Sequence, residues 1–222
     1  MSLPPADERE LLHRARALAG RSLRDIAHEA RMAVPPDLRR NKGWVGELME
    51  IVLGASSSSL PQPDFPHLGI ELKTLPVDAR GRPRESTYVC TVPLDEAVGE
   101  TWEDSWVRRK LARVLWLPVQ ADPATPLAER RVGGALLWSP DAHEEARLRR
   151  DYDELMDFVY TGALDRVTAR FGEVMQIRPK APHARARRRA LGVDGARVLA
   201  NPRGFYLRAS FTAAILERHY AI

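Results

Sequence analysis

The chain has 222 residues, 44% hydrophobic and 29% charged, enough for one large domain or two lobes sharing a cleft. No apolar run approaches the roughly 20 residues that span a bilayer, and the polar opening residues lack a signal-peptide core, which points to a cytoplasmic protein with no membrane partner. A net charge of +4 favours an anionic partner such as nucleic acid, the single Cys90 excludes an internal disulfide, and the six histidines show no zinc spacing.

Residues 8–19 predict a helix with Leu11, Leu12, Ala15 and Leu18 on one face and Gly20 as its stop. Ser22 to Asp25 reads as a capping box opening a second short helix. Pro35-Pro36 falls where a DNA-reading helix would have to follow, so this pair is expected to pack rather than read DNA. Residues 44–53 form a third helix, with Val45, Leu48, Met49 and Val52 as its stripe and Gly54 as its end. Gly43, Gly46, Glu47 and Glu50 fall on the other side. Glycines there permit close approach of a ligand, while periodicity alone makes the two acids ordinary exposed residues. The serine-rich stretch 55–61 is a flexible linker that also suits phosphates.

Residues 69–75 and 86–92 read as strands that pair with one another. Thr101 to Asp104 caps a helix whose stripe is Val107, Leu111 and Val114, with Arg108, Arg109, Lys110 and Arg113 on a solvated basic face. Residues 115–119 and 135–138 are buried strands, joined by a loop. Ser139-Pro140 begins a long helix that buries Leu148, Tyr152, Leu155, Met156 and Val159 and closes at Gly162. A strand follows at 174–180, then the densest positive stretch, 183–189, which suits phosphate contacts and equally a solvated helix face. Residues 203–207 are a last strand, and Ser210 caps the final helix.

The chemistry concentrates between Pro63 and Leu75. Alternation from Gly69 puts Ile70, Leu72 and Thr74 on one face and Glu71 and Lys73 on the other. A turn through Pro66, His67 and Gly69 brings Asp64 back beside Glu71. Two carboxylates and an ammonium suit metal-dependent phosphodiester hydrolysis: oxygen ligands for Mg²⁺, and a positive charge for the attacked phosphate. The same pattern also describes a surface strand whose Glu71 and Lys73 are merely solvated.

Pro63-Asp64 followed by Glu71-Leu72-Lys73 resembles the PD-(D/E)-x-K nuclease signature. Lys42-Gly43-Trp44-Val45-Gly46, Leu53-Gly54-Ala55-Ser56, Gly69 to Thr74 and Pro202-Arg203-Gly204-Phe205-Tyr206-Leu207 are similar to the MutH family of DNA mismatch-repair endonucleases, from about Leu11 to the C-terminus. The resemblance implies an α/β (α+β) fold of restriction-endonuclease type. It has a mixed central sheet flanked by helices and two lobes around a DNA-binding cleft, residues 6–104 carrying catalysis and 105–222 recognition. It implies Asp64, Glu71 and Glu50 as ligands of Mg²⁺ (Mn²⁺ substituting), Lys73 as electrostatic helper and Lys110 as a further functional lysine. Lys42, Tyr88, Arg178, Lys180, Arg203 and Tyr206 are implied to face DNA, Tyr206 sensing adenine methylation. The implied activity is nicking of the unmethylated strand at hemimethylated GATC by a monomer, switched on by MutL with MutS upstream. A restriction enzyme cutting both strands, and a non-catalytic DNA-binding or MutL-docking module, are the competing readings. Tyr88 departs from the family's usual Phe, and the 185–189 arginines are denser than usual.

Overall fold

The computed structural model describes residues 2–39, 41–56, 62–94, 100–168, 170–180 and 185–220. It is a mixed α/β chain dividing into two compact units, residues 1–85, 112–139 and 213–222 in the first and residues 86–111 and 140–212 in the second. The sequence suggested consecutive lobes divided at 104. The two compact units draw on segments interleaved along the chain.

In the first unit, α1 (Glu8–Ala17) is capped by Asp7, whose carboxylate accepts the Glu10 N–H at 2.7 Å. Ser22 caps α2 (Leu23–Glu29), its Oγ accepting the Asp25 N–H at 3.1 Å. Helix α3 (Trp44–Leu53) ends on Gly54. Two constraints require glycine there. Its φ is +79°, and a Cβ at this position would lie 2.4 Å from the Leu3 carbonyl oxygen. Gly54→Ala is therefore expected to destabilise the protein by roughly 2 kcal/mol or more through left-handed strain and overpacking, read as a lowered midpoint in urea.

Strand β1 (Glu71–Val77) pairs in parallel with β3 (Val114–Gln120), from Glu71↔Val114 to Val77↔Gln120. β3 pairs antiparallel with β4 (Leu136–Trp138). The expected pairing of residues 69–75 with 86–92 is not formed. The turn after β1 folds back only as far as a single bridge, Val77↔Pro83, where proline has no N–H to continue a ladder. β3, apolar and buried at its first six positions and ending on Gln120, takes the place beside β1, as strands covered on both faces do. Leu48, Leu53, Phe65, Ile70, Leu115 and Leu117 are fully buried in this unit's core.

In the second unit, β2 (Thr87–Thr91) pairs antiparallel with β8 (Arg203–Leu207), which pairs antiparallel with β5 (Met175–Pro179). Helix α4 (Trp106–Leu111) is shorter than its apolar stripe suggested, because Val114 already belongs to β3. Ser105, buried, caps it by accepting the Arg108 N–H at 3.1 Å. Helix α5 (Ala142–Tyr160) starts from Asp141, not from Ser139-Pro140. Asp141 and Glu144 complete a reciprocal capping box that satisfies two end N–H groups, one more than a lone serine satisfies. Asp151, buried on α5, accepts the N–H groups of Val174 (2.6 Å) and Met175 (2.9 Å) and so anchors the start of β5. A hairpin of β6 (Arg188–Leu191) and β7 (Arg197–Ala200) occupies the arginine-rich stretch, where a helix face was one expectation. Asp194-Gly195 between alternating apolar residues was its overlooked signal. Helix α6 (Ala209–Tyr220) runs from one unit into the other, with Ser210 inside its first turn rather than at the cap.

Candidate active site and nucleic-acid interface

The bend anticipated between Asp64 and Glu71 exists. Phe65 and Ile70 exchange backbone hydrogen bonds (2.9 and 3.3 Å), and Gly69 turns the chain with φ +66°. The Asp64 Oδ2 thereby accepts the N–H of Leu72 at 2.8 Å, the residue after Glu71. Ser56 N–H donates to the Asp64 carbonyl at 3.2 Å, tying the exit of α3 to the same turn. On β1, Lys73 Nζ donates to Glu71 Oε1 at 2.5 Å. Glu71 is only 1% exposed and the Lys73 side chain 15%, so this pair is not the solvated strand surface that alternation also allowed.

Glu50 projects from α3 into the field of these groups. Burial, then the neighbouring Asp64 carboxylate, push its pKa up from 4.5 to about 7; Lys73 opposes the shift, and Glu71 and Glu47 add to it. Three carboxylates from three segments and one ammonium thus converge within the first unit. Between about pH 4.5 and 7 the unfolded chain has lost the Glu50 proton and the folded chain retains it. The group's contribution to stability therefore declines as pH rises through that window. In metal-free buffer, Glu50→Gln is expected to flatten that decline; melting curves of variant and parent that stay parallel from about pH 5 to about pH 8 would count against the assignment.

Does this donor set fit a metal? Carboxylate oxygens are the ligands of hard divalent cations. The raised Glu50 pKa reports burial first and then the negative charge of Asp64, Glu71 and Glu47 set against Lys73, a charge that a cation would offset. Among the described residues no three His, Cys, Asp or Glu side chains are arranged so that they could hold a metal ion without rearranging. Glu71 is turned toward Lys73, so ion binding would redirect that carboxylate.

Lys42 is exposed in the turn before α3, in the first unit. Lys110, on α4 in the second unit, has its Nζ 5.7 Å from the Trp106 ring. Tyr88, Arg178, Lys180, Arg203 and Tyr206 all belong to the β2-β8-β5 sheet or its immediate end. Tyr88, Tyr206 and Gln176 stand opposite one another in register, and opposed residues share a face. The Tyr88 and Tyr206 rings meet edge-on at 5.4 Å. The Arg178 guanidinium lies 5.5 Å from the Tyr206 ring, and Lys180 Nζ lies 4.1 Å from the Tyr88 ring. Gly204 makes room for this arrangement: a Cβ there would sit 2.8 Å from Tyr88 Cε2.

Arg203 is packed at the strand's start, its Nε buried without an acceptor and its terminal nitrogen 3.9 Å from Asp165. Sequence reading missed Gln176, whose Nε2 donates to Ser86 Oγ at 2.8 Å and holds the row beside Tyr206. A polar residue between Met175 and Ile177 was its signal. Residues 57–61 of the predicted linker, and His183 and Ala184 of the basic stretch, lie outside the described residues.

A sequence model of the family described as "DNA mismatch repair enzyme MutH" matches residues 53–151. Similarity extends well beyond that segment. The chain is 55% identical over 219 residues to the DNA mismatch repair protein MutH of Serratia proteamaculans, covering 99% of this chain and 96% of that one. The chain belongs to the MutH family. MutH proteins of Enterobacter sp. (52% over 219 residues, 99% and 95% covered) and Klebsiella pneumoniae strain 342 (53% over 222 residues, 100% and 96% covered) agree. The mixed α/β architecture is the one expected of a MutH protein, and the matched segment holds Asp64, Glu71, Lys73 and Lys110 while Glu50 lies just before it. No described helix is long and apolar enough to cross a membrane.

Proposed function

We propose that this MutH-family chain is a divalent-metal-dependent endonuclease that nicks the unmethylated strand of hemimethylated GATC duplexes, acting as a monomer and activated by MutL. The observation that carries the catalytic half is the turn that brings Asp64 to the strand bearing Glu71 and Lys73, with Glu50 in the electrostatic field of all three, at a partly buried, carboxylate-rich spot. Asp64, Glu71 and Glu50 hold Mg²⁺, with Mn²⁺ as a substitute. When bound, the ion polarises the phosphodiester and lowers the pKa of a water.

The protein's own groups do the rest. The Leu72 N–H fixes the Asp64 carboxylate in place. Lys73, whose ammonium donates to Glu71, would supply positive charge to the charge developing on the attacked phosphate. Lys110 adds positive charge on the substrate side, and Lys42 meets the phosphate backbone. On the second unit's sheet, Arg178 and Lys180 are offered to guanine edges, the commonest specific contact in the major groove. Tyr206 meets the adenine edge, where a close-fitting ring separates methylated from unmethylated base by steric fit. Arg203, at the start of β8, faces DNA with its terminal guanidinium nitrogens, which suit a phosphate oxygen.

One catalytic cluster cuts one strand. The test is Mg²⁺-dependent cleavage of supercoiled plasmid and of hemimethylated, fully methylated and unmethylated GATC duplexes, with and without MutL. Open circles and selective cutting of the unmethylated strand are expected. Linear product would favour a restriction enzyme, and no cleavage with MutL present would favour a docking module.

A further inference from the structure

The β6–β7 hairpin is a surface that the proposed catalysis and base reading leave unused. Its ladder sets Arg188 opposite Ala200, Arg189 opposite Leu199, Ala190 opposite Val198 and Leu191 opposite Arg197. Opposed residues share a face and neighbours alternate, so Arg189, Leu191, Arg197 and Leu199 occupy one face of the ribbon. The other face is covered at Ala190, 4% exposed, whereas Leu199 is 71% exposed.

Arg185, Arg187, Arg188 and Arg189 are also exposed, and Asp194 is the sole acid between residues 185 and 200. The ribbon is firmly seated. A Cβ at Gly162, just past α5, would fall 2.2 Å from the Gly192 carbonyl carbon. Lys180 N–H donates to the Pro202 carbonyl at 2.8 Å, and Arg187 Nη1 donates to Asn201 Oδ1 at 2.8 Å. These bonds close the stem where it joins β5 and β8, the strands bearing Arg178 and Tyr206.

An open ribbon face with two arginines set between two leucines, and further arginines along its edge, complements a regular array of negative charge. It is covalently and sterically continuous with the proposed base-reading sheet. We propose that the β6–β7 hairpin is a sequence-independent clamp on the duplex phosphate backbone beside the recognised site. The clamp rests on the reading of this chain as a duplex-DNA enzyme. Guanidinium groups neutralise phosphates, and Leu199 packs over sugar edges between them.

The test measures binding of the full chain to duplexes with and without GATC, in metal-free buffer, as salt is raised. Each phosphate contact contributes about 0.9 to the slope of log K against log salt, so Arg189→Ala/Arg197→Ala should make the slope shallower by about 2. Affinity should fall by the same factor on both duplexes. Arg189→Lys/Arg197→Lys should keep the slope, since phosphate neutralisation needs charge rather than a guanidinium. Arg185→Ala, outside the ladder, should lower it by about 1 even if the alanine pair fails to fold. Unchanged slopes in a parent that binds duplex DNA would overturn the clamp alone. Unchanged slopes with lost stimulation by MutL would replace DNA with a protein partner. A parent that binds neither duplex would sink the nuclease reading as well.

Discussion

Asp64→Asn nicks GATC duplexes roughly a hundredfold to a thousandfold more slowly than the parent while binding them within about twofold, because removal of one preorganised charged group at a reacting phosphate costs about two to three orders of magnitude. The substitution is chosen for what it preserves. An asparagine oxygen still accepts the Leu72 N–H that Asp64 accepts at 2.8 Å, so the bend between Phe65 and Ile70 survives. What is lost is one negative charge. The variant should also release Glu50 from part of its elevation, since the Asp64 carboxylate is the second-largest cause of it. A titration by NMR reads that shift independently of turnover.

Glu71→Gln should abolish nicking in the same way. Lys73→Met should do so with an added cost to folding, since it strips the cation from a carboxylate that is 1% exposed. Normal cleavage by Asp64→Asn, in protein shown to be folded, would falsify the metal-site assignment.

Arg178→Ala is expected to reduce the preference for GATC over other duplexes by about tenfold to a hundredfold, the worth of one good arginine–guanine contact. The structural reason for choosing it over its neighbours is its support. Arg178 stacks on Tyr206, whose ring meets Tyr88 edge-on, so its guanidinium is held before DNA arrives. Lys180→Ala should weaken binding more evenly across sequences, because an ammonium is a point charge without a fixed fork. Competition binding with GATC and single-base variants distinguishes the two outcomes. Equal losses on every duplex after Arg178→Ala would move that residue from base reading to backbone contact.

The helices were legible because their signals are local. Asp25 after Ser22, the glycine at 54 and the apolar stripe of α3 each act within one or two turns. The bend that returns Asp64 to β1 was legible for the same reason, carried by prolines and a glycine within a few residues. Strand pairing was not. Nothing near residues 71–77 announces that their hydrogen-bonded neighbour is 114–120 rather than the next strand along. That choice is made by burial on both faces of β3 and by a proline that stops the return of the chain after one bridge. Periodicity also left Glu71 and Lys73 open between a catalytic and a solvated strand: alternation marks which face a residue takes, not whether that face is covered. The helix stripe that overran into Val114 failed because a spacing of three or four apolar residues continues by chance into a buried strand.

The parallel pairing of β1 with β3 has a bearing on how the protein is made. The strand that carries Glu71 and Lys73 leaves the ribosome early, yet its backbone partner, Val114–Gln120, follows only after a whole excursion through β2 and α4. Until then the two charged side chains have no ladder to fix them and no covered layer to exclude water. A nascent or truncated chain stopping short of Val114 is thus expected to be harmless to the chromosome, its cutting power withheld by the order of synthesis.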